Sequence, residues 1–174
     1  MTHTDDLATS DRSGPPAAAD RAAHRPAATH PPDDDAAHQL AKRAAAAMWA
    51  DDAASQAMGM TLEEVRPGYA RMSMRVREDM VNGHDVCHGG YIFSLADSAF
   101  AFACNSYNRT TLAQACDIVF ITTARAGDLL VAEAVERVRY GRNGIYDVTV
   151  RRGGEVVAEF RGRSREVAGT VAPE

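Results

Sequence analysis

Residues 85–108, D-V-C-H-G-G-Y-I-F-S-L-A-D-S-A-F-A-F-A-C-N-S-Y-N, decide how the rest of the chain reads. Between Asp85 and Arg109 the one formally charged side chain is Asp97, and Tyr91, Ile92, Phe93, Leu95, Phe100, Phe102 and several alanines surround it. A helix that is apolar on every face is a buried helix, expected here over residues 88–107. A carboxylate in the middle of such a helix gives up hydration worth several kcal/mol unless something compensates. Packing alone seldom keeps a charge there, so Asp97 is the first candidate for chemistry. The bland alternative is a structural hydrogen bond.

The helix entrance adds a second candidate. His88-Gly89-Gly90 leaves backbone bare where the first helical N–H groups have no intrahelical partner. Those groups carry partial positive charge and suit an oxyanion or a phosphate. Gly89 and Asp97 are eight residues apart, which is roughly 12 Å of helical rise. One reacting carbonyl does not span that gap. Either the two groups serve different ligand atoms, or a second copy of the chain brings its Asp97 to this Gly89. The second arrangement is favoured, because two-fold dimers are the commonest oligomers and readily form shared sites.

Moving outward, 174 residues with 45% apolar side chains suffice for one domain with a real core. A net charge of −5 argues against general nucleic-acid binding. Three cysteines, Cys87, Cys104 and Cys116, make a sparse odd set, expected as reduced thiols in a cytoplasmic protein. No apolar run reaches membrane-spanning length without interruption. Residues 1–35 hold almost no large apolar side chains and read as a disordered tail. Residues 36–53 favour a helix, with Leu40, Ala44, Ala47 and Met48 on one stripe.

Strand patterns follow. Residues 70–77 alternate apolar and polar, the period of a half-buried strand. After the buried helix, residues 115–122 are almost continuously apolar, as in a central strand, and residues 130–140 form another long strand. Gly141-Arg142-Asn143-Gly144 signals a hairpin, and Gly153-Gly154 turns the chain between two further alternating strands. One or two strands, a buried helix and then a meander make an α+β fold, an antiparallel sheet wrapped around a central helix.

This layout, with H-G-G and an aspartate seven residues further on, resembles the hotdog-fold acyl-CoA thioesterases, in particular the PaaI type of phenylacetate degradation. M-V-N-G-H-D-V-C-H-G-G-Y-I-F-S-L-A-D, G-I-Y-D-V-T-V and F-R-G-R-S carry the likeness, which covers residues 36–174. The resemblance implies that Asp97 is the catalytic carboxylate, either as general base on water or as nucleophile. It implies that the Gly89 N–H polarises the thioester carbonyl and that Asn82 and His88 help orient water or carbonyl. It also implies homo-oligomers, dimers often paired into tetramers, with sites at the subunit interface. The substrate class would be acyl-CoA, phenylacetyl-CoA or its hydroxylated forms first. Medium-chain or other aryl acyl-CoAs are the alternative, and a non-catalytic acyl-CoA carrier is the rival of a different class.

Other candidates rank lower. Asn82-Gly83 is equally a turn signal, and His88 reads as well as a helix cap. Gly90 and Ser98 are candidates for substrate contact, Ser98 also reading as packing. Tyr91, Phe93 and Phe100 could flank an acyl group but are better explained as core. Eight arginines between Glu136 and Glu166 outnumber the acids there; most fit a solvated strand face. Arg139, Gly141 and Arg142, at a strand end and hairpin, are the candidates for coenzyme A phosphates. His84, Asp85, Cys87 and His88 fit no closed zinc pattern, so no metal is expected. Cys104 lacks a base and sits in an apolar helix, which suppresses a thiolate. No redox cofactor is implied.

Overall fold

The computed structural model describes residues 32–173; the expected tail lies largely outside them. Helix α1 spans Pro32–Asp51 and α2 spans Ala53–Ala57. Strand β1 (Met60–Arg66) turns through Gly68, at φ +69°, into β2 (Tyr69–Arg75). Helix α3 (Gly89–Asn105) follows, then β3 (Thr111–Phe120), β4 (Leu129–Tyr140), β5 (Asn143–Arg152) and β6 (Glu155–Glu166). The strands form one antiparallel sheet in the order β1-β2-β4-β5-β6-β3. Among the described residues no helix is long and apolar enough to cross a membrane.

Four expectations change. The first helix begins at Pro32 rather than Ala36, because proline suits a first helical position and acidic residues such as Asp34 and Asp35 favour the positive helix end. It also breaks at Asp52, whose side chain accepts the Ser55 N–H and caps α2. Helix α3 ends at Asn105, where Asn105 bonds both the N–H and the carbonyl of Thr111. Finally, the apolar run 115–122 belongs to an edge strand, not a central one. Leu112, Val119 and Phe120 on β3 are 57%, 62% and 49% exposed, and Ile121 just beyond it 56%. A continuous apolar run marks a strand covered on all sides, and sequence does not say whether its own sheet does the covering.

Helix α3 packs on one face of the sheet, chiefly against β2, β4 and β5. Phe100 stacks between Tyr146 of β5 and Phe160 of β6, at ring distances of 5.5 and 5.9 Å, and Phe93 meets Phe160 at 5.5 Å. Each such pair contributes about 0.5–1.5 kcal/mol beyond burial. Gly162, mid-strand in β6, is a notch for Phe100: a Cβ there would come within 2.8 Å of the ring. Helix α1 docks through Trp49, 6.0 Å from the Phe102 ring. The helix is not covered all round, however. Gly90 is exposed and Tyr91, Ser94, Asp97 and Ala101 are half-buried, so one face of α3 stays accessible. The apolar composition that suggested full enclosure includes this face because small residues line it.

Candidate active site

The loop before α3 is shaped by short local bonds. Asn82 Oδ1 accepts the His84 N–H, Asn82 N–H reaches the Val86 carbonyl, and Asp85 takes φ +59° to close the turn. Asn82 therefore does form the turn that its dipeptide signals. Cys87 N–H bonds Ala124 O and His88 N–H bonds Met80 O, which fixes where the helix begins. His88 caps α3, its Nδ1 accepting the Gly90 N–H at 2.9 Å. Tyr91 N–H returns to the His88 carbonyl. The Gly89 N–H, one position into the helix, has no partner among the described residues. Such a bare first-turn donor can bind an anionic ligand atom. A Cβ on residue 89 would sit 3.0 Å from Phe120 Cζ, so glycine is what lets β3 close against the helix entrance.

Asp97 sits two turns further along, half-buried, at the head of a cleft of about 380 Å³. Met48, Phe100, Ala101, Leu112 and Val171 line that cleft, which runs between α3 and the start of β3. Burial pushes the Asp97 carboxyl above the usual carboxylate range, and a hydrogen bond from Cys116 partly offsets the shift. A carboxylate of raised pKa in a cleft is a candidate for proton transfer. Cys104 is inert as a nucleophile, because burial pushes its thiol up to about 12.

The chain is 43% identical to the acyl-coenzyme A thioesterase PaaI of Escherichia coli over 129 residues, 74% of this chain and 92% of that protein. This chain belongs to the thioesterase superfamily. The family model of that description matches residues 84–159, from the loop before α3 well into β6. The solved structure of E. coli PaaI, from the phenylacetic acid degradation operon, superposes with a TM-score of 0.75 at 41% identity, covering 76% of this chain and 97% of that one. A mutant of the phenylacetic acid degradation protein PaaI from Thermus thermophilus gives 0.63 at 34% identity, covering 65% and 97%. The thioesterase thus has the hotdog fold, with α3 as its central helix.

The remaining candidates are scattered over the fold. Gly90 and Tyr91 border an open hollow at the α3 entrance, with Met58 opposite. Ser98 is engaged with α2, its Oγ 2.9 Å from Ser55 Oγ. Phe93 and Phe100 are held by the aromatic core. Far from the entrance, Arg139, Gly141 and Arg142 line a recess at the β4–β5 turn together with Arg109. Arg139 stacks over the Tyr107 ring at 4.0 Å and Arg142 donates to the Glu166 carbonyl. Among the described residues none of these three arginines pairs with a carboxylate. The outer sheet face is different: Arg137 and Arg161 both grip Asp147, and Arg163 pairs with Asp117. Arg109 and Cys116 were not legible as site residues, since only the path of β3 beside α3 brings them there.

Proposed function

We propose that this thioesterase hydrolyses acyl-CoA thioesters as a homo-oligomer, with phenylacetyl-CoA or its ring-hydroxylated forms as substrate. Asp97 carries the reading: a half-buried carboxylate of raised pKa in an open cleft, on the helix whose first N–H has no partner among the described residues. The likeness to PaaI proteins of phenylacetic acid degradation supports the aromatic acyl group. Ionised Asp97 takes a proton from water as its oxygen adds to the thioester carbon. The Gly89 N–H holds the oxyanion, with Asn82 and His88 shaping that entrance. Collapse breaks the C–S bond, and the departing thiolate takes the proton, leaving free acid and coenzyme A. No step uses a metal or redox cofactor; coenzyme A enters in the substrate and leaves as product. Arg109, Arg139 and Arg142, which line one recess, are the candidates to bind its phosphates. A cytoplasmic setting, where the three thiols stay reduced, completes the reading.

A panel of acyl-CoA esters read by thiol release tests it. Phenylacetyl-CoA should show the highest kcat/KM. Faster straight-chain substrates would overturn the aromatic preference, and saturable binding without thiol release would overturn the enzyme.

We infer the shared site from β3. Its outer edge is a long, apolar ladder with no strand paired to it among the described residues, the kind of edge that proteins cover rather than leave open. Gly89 lies against Phe120 and Asp97 against Cys116, so four residues of β3 separate the two groups. Antiparallel self-pairing centred on Ile118 would put the partner's Phe120 beside Cys116, and with it Gly89 of the partner subunit beside Asp97. Two such dimers then form the tetramer. In this register Val119 faces the partner's Asp117. Val119→Glu should therefore weaken the dimer about tenfold or more by sedimentation, through like charges opposed twice across the axis. Val119→Arg should leave it associated. Equal behaviour of the two would refute the register.

A further inference from the structure

We propose that Cys116 is a positioning residue for catalysis: from β3 its thiol donates to Asp97 Oδ1, fixing which way the carboxylate points and holding it ready to ionise. The proposal rests on Asp97 being the catalytic carboxylate and goes beyond it by assigning what holds that group.

The geometry is specific. Cys116 Sγ lies 3.8 Å from Asp97 Oδ1, within reach for a sulfur donor, and this is the one side-chain hydrogen bond to Asp97 among the described residues. Oδ2 takes no side-chain hydrogen bond among the described residues. The two elements are held in register on either side of this contact. Asn105 ties the end of α3 to Thr111 at the start of β3, and Phe120 closes on Gly89 at the other end. The thiol is thus presented by a backbone fixed at both ends, which is how a supporting group locks a reacting one.

The surroundings leave this role to Cys116. Within one chain, among the described residues, the titratable groups that face Asp97 are Cys116 from β3 and Cys104 from its own helix, and the Cys104 thiol is bonded to the Ala101 carbonyl. Met48 of α1 and Thr110, Leu112 and Ala113 around the cleft bring no charge. Asp117 and Arg163 act on Cys116 from the outer face of the sheet, as a pair at 3.2 Å. Burial beside the carboxylate pushes the Cys116 thiol up to about 11, so it stays protonated and remains a donor while Asp97 gains and loses its proton. A donor to the ionised form lowers a carboxyl pKa, and this one opposes the burial that raises it. The thiol is therefore a brake on the shift that burial imposes.

The test uses the full-length protein as Cys116→Ala and Cys116→Ser, with kcat and KM for the best acyl-CoA of the panel measured from acid to neutral pH. Cys116→Ala should move the acidic limb of kcat upward by about half a pH unit or more. It should lower kcat about tenfold while KM changes little, because binding groups are untouched. Cys116→Ser, which restores a donor, should return the limb toward its native position. A carbon-13 titration of the Asp97 carboxyl gives the same comparison without turnover, and urea midpoints check that both variants fold. An unmoved acidic limb and Asp97 titration in Cys116→Ala would overturn the proposal, as would serine behaving like alanine. A native rate for Asp97→Asn would instead remove the catalytic reading beneath it.

Discussion

Asp97→Asn yields a folded protein that releases coenzyme A about 10²–10⁴-fold more slowly than the native chain, the loss expected when a general base is deleted. The amide has the shape of the carboxylate and can still accept from Cys116, but it cannot take a proton from water. The same variant should be more stable at neutral pH. In the folded state the carboxyl binds its proton more tightly than in the unfolded chain, because burial raises its pKa. Between the ordinary and the raised pKa the folded state holds more protons, so stability falls as pH rises through that window. Above it the native protein carries a charge that burial disfavours, whereas asparagine carries none. Thermal melts should show a higher midpoint for Asp97→Asn at neutral pH and convergence below the ordinary aspartate range. A native rate of thiol release sinks the mechanism. An unchanged melting difference across the pH range contradicts the burial argument.

Gly89→Pro should cost about 10²–10³ in kcat beyond whatever Gly89→Ala costs, roughly 2.7–4 kcal/mol of lost oxyanion stabilisation. Proline is well tolerated at the first position of a helix, where its missing N–H would have no intrahelical partner. His88 already has φ −62° and ψ 130°, the conformation that a following proline requires. Both substitutions push a Cβ toward Phe120, so steric disturbance is common to the pair. What differs is one N–H. If the two variants turn over at the same rate, the oxyanion is held elsewhere.

Much of this architecture could be read from residues alone, for physical reasons that differ by element. The meander was legible because β5 and β6 alternate apolar with polar or charged side chains, and glycine turns at Gly141 and Gly153 join β4 to β5 and β5 to β6. Asp97 was legible because a lone charge among apolar neighbours is costly wherever the helix ends up. The position of β3 was not, since its pairing with β6 skips over β4 and β5 and an apolar run carries no label for its neighbours. Cys116 and Arg109 escaped for the same reason: each meets the site only through that crossover. His88 and Asn82 remained ambiguous in sequence because capping, turn formation and ligand orientation draw on the same polar atoms, and the structure shows the first two uses directly.

The seat that Gly162 makes for Phe100 has a consequence for how the reacting groups keep their spacing. An apolar helix on a sheet could slide along its axis with little change in buried area. Here a ring sunk into a missing side chain works like a detent, and any slip by a fraction of a turn drives it into β6. The axial setting of α3, and so the height at which its carboxylate stands, is thereby keyed by core packing three residues away rather than by the rim of the cleft.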